Sequence, residues 1–229
     1  MNQHSAVKMA GATLAFALFH SMLASRTVKK AAAKRFGQAN CNAGYRILYV
    51  GQSLVTFLML VNYGARLPSY TLYRATGMPA ILLRCGQIAG LVHLYTAAAQ
   101  VGVKRLAGIS NLHDWLQGRQ GLRPPVAQGP ELNEAGRLTT SGPYTWSRHP
   151  LNWSGIPVFW LTPHMTTKRL AFNLVSTAYF VLGSQHEAIR LRKAYGEHYR
   201  EYEKSDVPFY WPRRPLVKNR ASNTAFKSS

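Results

Sequence analysis

Acidic residues are what this sequence most lacks. Eight Asp and Glu stand against 28 Lys and Arg, for a net charge of +20 over 229 residues. None of the eight precedes Asp114. An excess of this size points to an anionic partner, either nucleic acid or a membrane surface. The placement of the cations separates the two. They lie in blocks between long apolar runs, not spread over a soluble fold, so nucleic acid is not the expected partner. Cysteine is also scarce: Cys41 falls in a basic segment and Cys85 in an apolar run, which argues against a disulfide framework. No HxxxH, CxxC or HExxH spacing occurs, so no metal site is expected. No G-x-G-x-x-G or P-loop pattern occurs either, which speaks against a soluble nucleotide-binding domain. There is no internal repeat.

What is present is apolar length. Met9 to Ala24 reads MAGATLAFALFHSMLA, and Ile47 to Ala65 reads ILYVGQSLVTFLMLVNYGA without a charge. Met78 to Val103 is a third run, interrupted by Arg84 and His93. A helix needs about 20 apolar residues to cross a bilayer core, and runs two and three meet that. Run one meets it with its polar flanks. It is read as a retained helix, because Met22 is too large for the small-residue pattern of a signal-peptide cleavage site. Leu151 to Pro163 and Leu170 to Gln185 are shorter runs, separated by His164-Met165-Thr166-Thr167-Lys168-Arg169. They read as a tight helical hairpin that either spans or packs inside the other helices.

The cations supply a topology. Six lie between Arg26 and Arg46, two between runs two and three, six from Lys104 to Arg148, two before the fifth run and ten beyond Gln185. This alternation fits five spans under the positive-inside rule. The expected fold class is therefore all-α: a polytopic membrane bundle of about five helices, with the amino terminus outside and the carboxyl tail in the cytosol. Residues 1–212 are read as one membrane-embedded domain and 213–229 as a basic, disordered tail near anionic headgroups. The polar connection from Lys104 to Thr140, with Pro124-Pro125, reads as loop with short helical pieces. Among polar residues inside the runs, Arg84 has no acid nearby in sequence and is expected to snorkel outward. His93 is expected to be a hydrogen-bonded interhelical histidine.

Two motifs carry chemistry. The first is SGPYTWSRHPLNW, Ser141 to Trp153. Pro150 suits the first turn of a helix, which would set the free donors of that turn beside Arg148 and His149 as an anion site. The plainer reading is an interfacial arginine snorkelling to lipid phosphates. The second is the stripe Glu187, Leu191, Tyr195, Tyr199, Tyr202, whose spacing places all five on one face of one helix. Glu187 directly follows an apolar run, where an ionisable group is costly unless paired or functional. The plainer reading is an amphipathic interfacial helix with an aromatic belt.

Together the motifs resemble the integral membrane methyltransferases of the isoprenylcysteine carboxyl methyltransferase and phospholipid N-methyltransferase superfamily. Ser141-Gly142-Pro143-Tyr144, Arg148-His149-Pro150, Gly155, Glu187, Tyr195-Gly196, Tyr199, Tyr202 and Val207-Pro208 follow that family's order over residues 136–208. Asn152 stands where the family usually has tyrosine, and Ala188 replaces the second member of its acidic pair. The R-H-P-x-N-W form is similar to a bacterial branch found with denitrification and nitric-oxide genes. The resemblance implies a bacterial inner-membrane enzyme that binds S-adenosylmethionine at the cytosolic face. It implies methyl transfer to a small lipophilic or membrane-borne acceptor. Tyr144, Arg148, His149, Pro150, Leu151, Asn152 and Glu187 would contact the cofactor, with Arg148 and Glu187 as the catalytic pair. Tyr144 and Trp153 could pack on the adenine or face the sulfonium. The alternative is a non-catalytic membrane protein on the same scaffold, tied to nitric-oxide or haem metabolism.

Overall fold

The long apolar runs become long helices. In the computed structural model, which describes residues 3–119, 129–130, 132–133 and 137–212, α1 spans Gln3–Ala24 and α2 spans Arg26–Phe36. α3 spans Gln38–Arg66 and α4 spans Gly77–Val101. Helices α1, α3 and α4 are each long and apolar enough to cross a membrane. Their large apolar side chains point outward: Leu18 is 63% exposed, Leu48 73% and Leu82 64%. Exposure on that scale belongs to a surface covered by lipid. Polar groups turn inward instead. His20 of α1 meets Tyr49 and Ser53 of α3, the latter at 2.9 Å, the interhelical polar pairing that membrane bundles use. Glu131, Glu134, Pro124-Pro125 and the basic tail 213–229 lie outside the described residues.

The connection after α4 holds two short helices, α5 (Val103–Leu106) and α6 (Ile109–Leu116). The run from Leu151 to Pro163 departs from expectation, because it is not one helix. It forms α7 (Pro150–Trp153) and α8 (Gly155–Trp160). Pro157 has no N–H to give to the carbonyl four residues back, so the first piece cannot continue. The chain then enters a strand, β2 (His164–Thr166), where the helical hairpin turn was expected. It pairs antiparallel with β1 (Thr71–Arg74), in register Thr71↔Thr166, Tyr73↔Met165 and Arg74↔His164, with an irregularity between Thr71 and Tyr73.

Thr166 caps the next helix, its hydroxyl accepting from Arg169 N at 3.3 Å. That helix, α9, runs unbroken from Thr167 to Tyr195, joining the fifth apolar run to the first part of the polar stripe. It ends at Gly196, with φ 55° and ψ −124°, a conformation open to glycine and not to a continuing helix. The chain reverses into α10 (Glu197–Lys204). The stripe is therefore split: Glu187, Leu191 and Tyr195 lie on one helix, Tyr199 and Tyr202 on the next. The fold-back packs Ala188, Leu191, Tyr199 and Tyr202 into one buried cluster.

The bundle has two ends. At one, the sheet ties the α3–α4 connection to the start of α9: Ala75 N donates to Pro163 O at 2.8 Å and Lys168 Nζ to Leu67 O at 2.7 Å. At the other, Arg46 Nε donates to Leu106 O at 2.9 Å and Gln100 Nε2 to Thr139 O at 2.9 Å. Segments expected on one side of the membrane are thus joined to each other. Helix α4 meets α8 and the residue after it at Gly86 and Gly90, where side chains of the second segment press on the α4 backbone. A Cβ on Gly90 would lie 3.0 Å from Pro157 Cγ, and one on Gly86 would run into Leu161. This is the small-xxx-small device of membrane helix packing.

Candidate functional site

The segment before α7 is strapped to the chain that follows α10. Ser147 Oγ donates to Tyr210 O at 2.8 Å, and Arg148 N donates to Pro208 O at 3.0 Å. Tyr202 OH donates to Tyr144 O at 2.5 Å. The Val207-Pro208 pair thus acts through its backbone. A 3-10 turn over Gly142–Thr145 buries Tyr144, which is 1% exposed.

These straps bring the two motifs into contact. His149, 1% exposed, faces Glu187 with Nδ1 and Oε2 3.3 Å apart. The same carboxylate oxygen accepts from Asn152 Nδ2 at 3.0 Å, and Asn152 Nδ2 also donates to Ser184 Oγ at 3.0 Å. Asn152 is therefore held against both Ser184 and Glu187. Ala188, the other departure from the family pattern, is 3% exposed within the apolar cluster. A carboxylate there would be buried away from water.

Arg148 goes elsewhere. Its Nη1 lies 3.3 Å from Glu203 Oε1 and its guanidinium sits 5.5 Å from the Phe209 ring centre. Glu203 also accepts three hydrogen bonds from Arg192 Nε and Nη2, the shortest 2.7 Å. Phe209 packs on His149 too, at 4.7 Å between ring centres. Arg148 thus pairs with Glu203 while His149 pairs with Glu187. Pro150 begins α7 as expected, but that helix is a single turn. Leu151, half-buried, lies in the same turn.

Buried polar atoms without a partner concentrate here: Tyr144 OH, Arg148 Nε, His149 Nε2, Tyr195 OH and Tyr199 OH. Such atoms are rare in folded proteins because each costs about 1–3 kcal/mol. A cluster of them is a place where water or a polar guest can complete the hydrogen bonding. Burial pushes the phenols of Tyr144 and Tyr199 well up, with smaller charge effects: Glu187 raises Tyr144, and Arg148 pulls Tyr199 down. Both stay neutral and able to donate.

Over 62 residues the chain is 42% identical to a protein named methanethiol S-methyltransferase from Pseudomonas deceptionensis, covering 27% of this chain and 24% of that protein. A protein of the same name from Mycobacterium tuberculosis is 36% identical over 72 residues, 31% of this chain and 30% of that one. Methanethiol S-methyltransferase 1 of Bradyrhizobium diazoefficiens is 29% identical over 124 residues, 54% and 39% of the two chains. Over these stretches the chain is similar to curated membrane methyltransferases, in keeping with the resemblance its motifs bear to the isoprenylcysteine carboxyl methyltransferase-like enzymes. The matched stretches span about a quarter to two-fifths of the length of these relatives. No family model and no solved structure matches the chain.

The site's groups suit the methyl donor that such methyltransferase relatives imply. In a neutral His149 ring with Nδ1–H toward Glu187, Nε2 carries a free lone pair. That lone pair and the Glu187 carboxylate can accept hydrogen bonds, and Arg148 Nε and the tyrosine hydroxyls can donate them, the polarity that an ammonium, a ribose hydroxyl and a carboxylate would need. Sequence reading missed Ser147, Ser184, Glu203, Phe209 and Tyr210. Ser184 carried a faint signal, one turn before Glu187 on the same helix face. The others carried none, since straps across 60 or so residues leave no local periodicity. His93 turns out as expected, its Nδ1 paired with Ser154 Oγ at 2.7 Å between α4 and the α7–α8 junction. It also stacks on Trp146 and meets Trp153 edge-on, at 6.0 and 5.3 Å.

Proposed function

We propose that the protein transfers a methyl group from S-adenosylmethionine to a small lipophilic thiol at the membrane interface. The observation that carries this is the convergence of His149, Asn152 and Glu187 beside five unpartnered buried polar atoms. The name shared by the relatives favours a thiol among possible acceptors. When bound, the donor would supply an electrophilic methyl to the acceptor sulfur, with S-adenosylhomocysteine as the leaving group and the thiol proton passing to solvent. The chain's own residues bind and orient. Glu187 and His149 Nε2 hold the ammonium or ribose, Arg148 Nε and Tyr144 OH the carboxylate. Pro150 and Leu151 form the apolar floor of the same turn. The straps to Pro208 and Tyr210 hold Ser147, Arg148 and His149 in place, and alignment with exclusion of water is the main demand of a methyl displacement.

On this reading the chain crosses a bacterial inner membrane five times, through α1, α3, α4, the broken α7–α8 pair and α9. The motif end faces the cytosol and the sheet end faces outside. The charge alternation supports that orientation. The non-catalytic alternative rested on Asn152 and Ala188, and the bonds of Asn152 to Glu187 and Ser184 leave it no specific support. The test is calorimetric binding of S-adenosylhomocysteine to the full chain in detergent, with labelled methyl transfer to methanethiol. Micromolar binding that is lost in Glu187→Ala is the expected result. Absence of binding, with wild type and variant alike, refutes the reading.

A further inference from the structure

The site does not account for a second feature at the opposite end of the bundle. A cavity of about 570 Å³ opens there between α1, α3, α4, α8 and α9. Its walls are apolar, with Phe57, Val61, Phe159 and Phe172 among them, and Arg84, Lys168 and Arg169 also line it. Lys168 is held by Leu67 O at 2.7 Å, and Arg169 Nη1 by Thr162 Oγ1 at 2.8 Å and His164 O at 2.6 Å. Those partners are carbonyls and a hydroxyl, which orient the charges without neutralising them. Arg84 has no hydrogen-bond or ion-pair partner among the described residues. Among the described residues no acid lines the cavity: none precedes Asp114, and Glu131 and Glu134, the acids between Asp114 and Glu187, lie outside them. No described residue supplies a counter-charge to Arg84, Lys168 or Arg169.

A further atom asks for a ligand. Asn173, 1% exposed, lines the same cavity one helical turn beyond Arg169. Its Nδ2 donates to Phe159 O at 3.0 Å, while its Oδ1 is buried without a partner. The cavity thus combines a cationic rim, an unfilled acceptor and an apolar wall. Arg169 and Glu187 are 18 residues apart along α9, about 27 Å at 1.5 Å per residue, so this cavity is separate from the methyl-transfer site.

We propose that the cavity binds an anionic phospholipid of the surrounding bilayer, with its phosphate held by Arg84, Lys168 and Arg169. One acyl chain lies along the apolar wall between α3 and α8, and a glycerol hydroxyl donates to Asn173 Oδ1. The proposal is independent of methyl transfer.

Native mass spectrometry of the full chain, released from mixed phosphatidylglycerol and phosphatidylcholine micelles, tests it. Phosphatidylglycerol should be retained in preference. Arg84→Gln should reduce that preference about fivefold, the loss of one interfacial cation. Val61→Trp, which crowds the apolar wall, should reduce retention of both lipids. Thermal unfolding in lipid-free detergent, unchanged in Arg84→Gln, shows that the variant is folded. Equal retention of the two lipids overturns the proposal. So does an Arg84→Gln variant that binds like wild type, or displacement of phosphatidylglycerol by millimolar inorganic phosphate, which would assign the site to a free anion.

Discussion

Replacing Glu187 separates structure from chemistry at the motif junction. The carboxylate is 13% exposed and the His149 side chain 0%. It accepts from His149 and Asn152 through one oxygen. Glu187→Ala strands His149 Nδ1–H and one Asn152 N–H, since the other Asn152 hydrogen keeps Ser184. At about 1–3 kcal/mol per stranded buried donor, the cost is about 2–6 kcal/mol. Water entering the vacated space draws the result toward the lower end. Glu187→Gln keeps an acceptor oxygen and the side-chain volume, so its stability cost should stay near 1 kcal/mol. It removes the negative charge, however. A charge-assisted bond to a cofactor ammonium or ribose contributes about 1.5–3 kcal/mol, so binding should fall about tenfold to a hundredfold. Equilibrium unfolding in mixed micelles measures the first quantity and calorimetry with S-adenosylhomocysteine the second. A Glu187→Gln variant that binds as well as wild type would refute the role given to the charge. A Glu187→Ala variant as stable as wild type would refute the hydrogen-bond network itself.

Other outcomes follow from the same geometry. Glu203→Gln leaves Arg148, 14% exposed, without its ion-pair partner, and should cost about 3 kcal/mol by equilibrium unfolding. Glu197→Gln disturbs only exposed pairs with Arg200 and Lys204 and should change nothing measurable. Gly90→Val places a side chain against Pro157 and Val158, about 3 Å from each. It should cost about 1–3 kcal/mol and lower the thermal midpoint. Burial raises the phenols of Tyr144, Tyr199, Tyr202 and Tyr210. These groups keep their protons in the folded chain when the unfolded chain has lost them. Their contribution is therefore complete below the unfolded phenol value of about 10 and is lost as pH rises above it. Unfolding midpoints should fall from about pH 10 upward, and less steeply in Tyr144→Phe.

Much of the fold could be read from the chain alone, because membrane helices announce themselves through length and composition. The runs ending near Ala24, Ala65 and Val103 became α1, α3 and α4. Pro150 started a helix, and His93 bonded across helices. The errors fall where tertiary partners override local pattern. The run Leu151–Pro163 has enough apolar residues for a helix, yet Pro157 breaks it, and the residues just after it, His164–Thr166, pair as a strand with β1 more than 80 residues away. The stripe from Glu187 to Tyr202 keeps helical spacing across Gly196, but the fold-back packs Tyr199 and Tyr202 onto Leu191. Arg148 stands beside His149 in sequence, but its charge is claimed by Glu203.

The sequence by itself determined an acid-poor, helical membrane protein whose charge is arranged by side, because bilayer thickness and hydration of charge act on each segment separately. It also supplied the residue types of the candidate site. Only the tertiary structure decided which of them meet. His149 and Glu187 lie 38 residues apart in the chain, and their contact depends on the return of α9 and on the straps from Pro208 and Tyr210. Long-range hydrogen bonds of that kind leave no periodic trace in a single sequence. The cavity around Arg84 was equally hidden, since its cations come from two separate segments that the small sheet draws together.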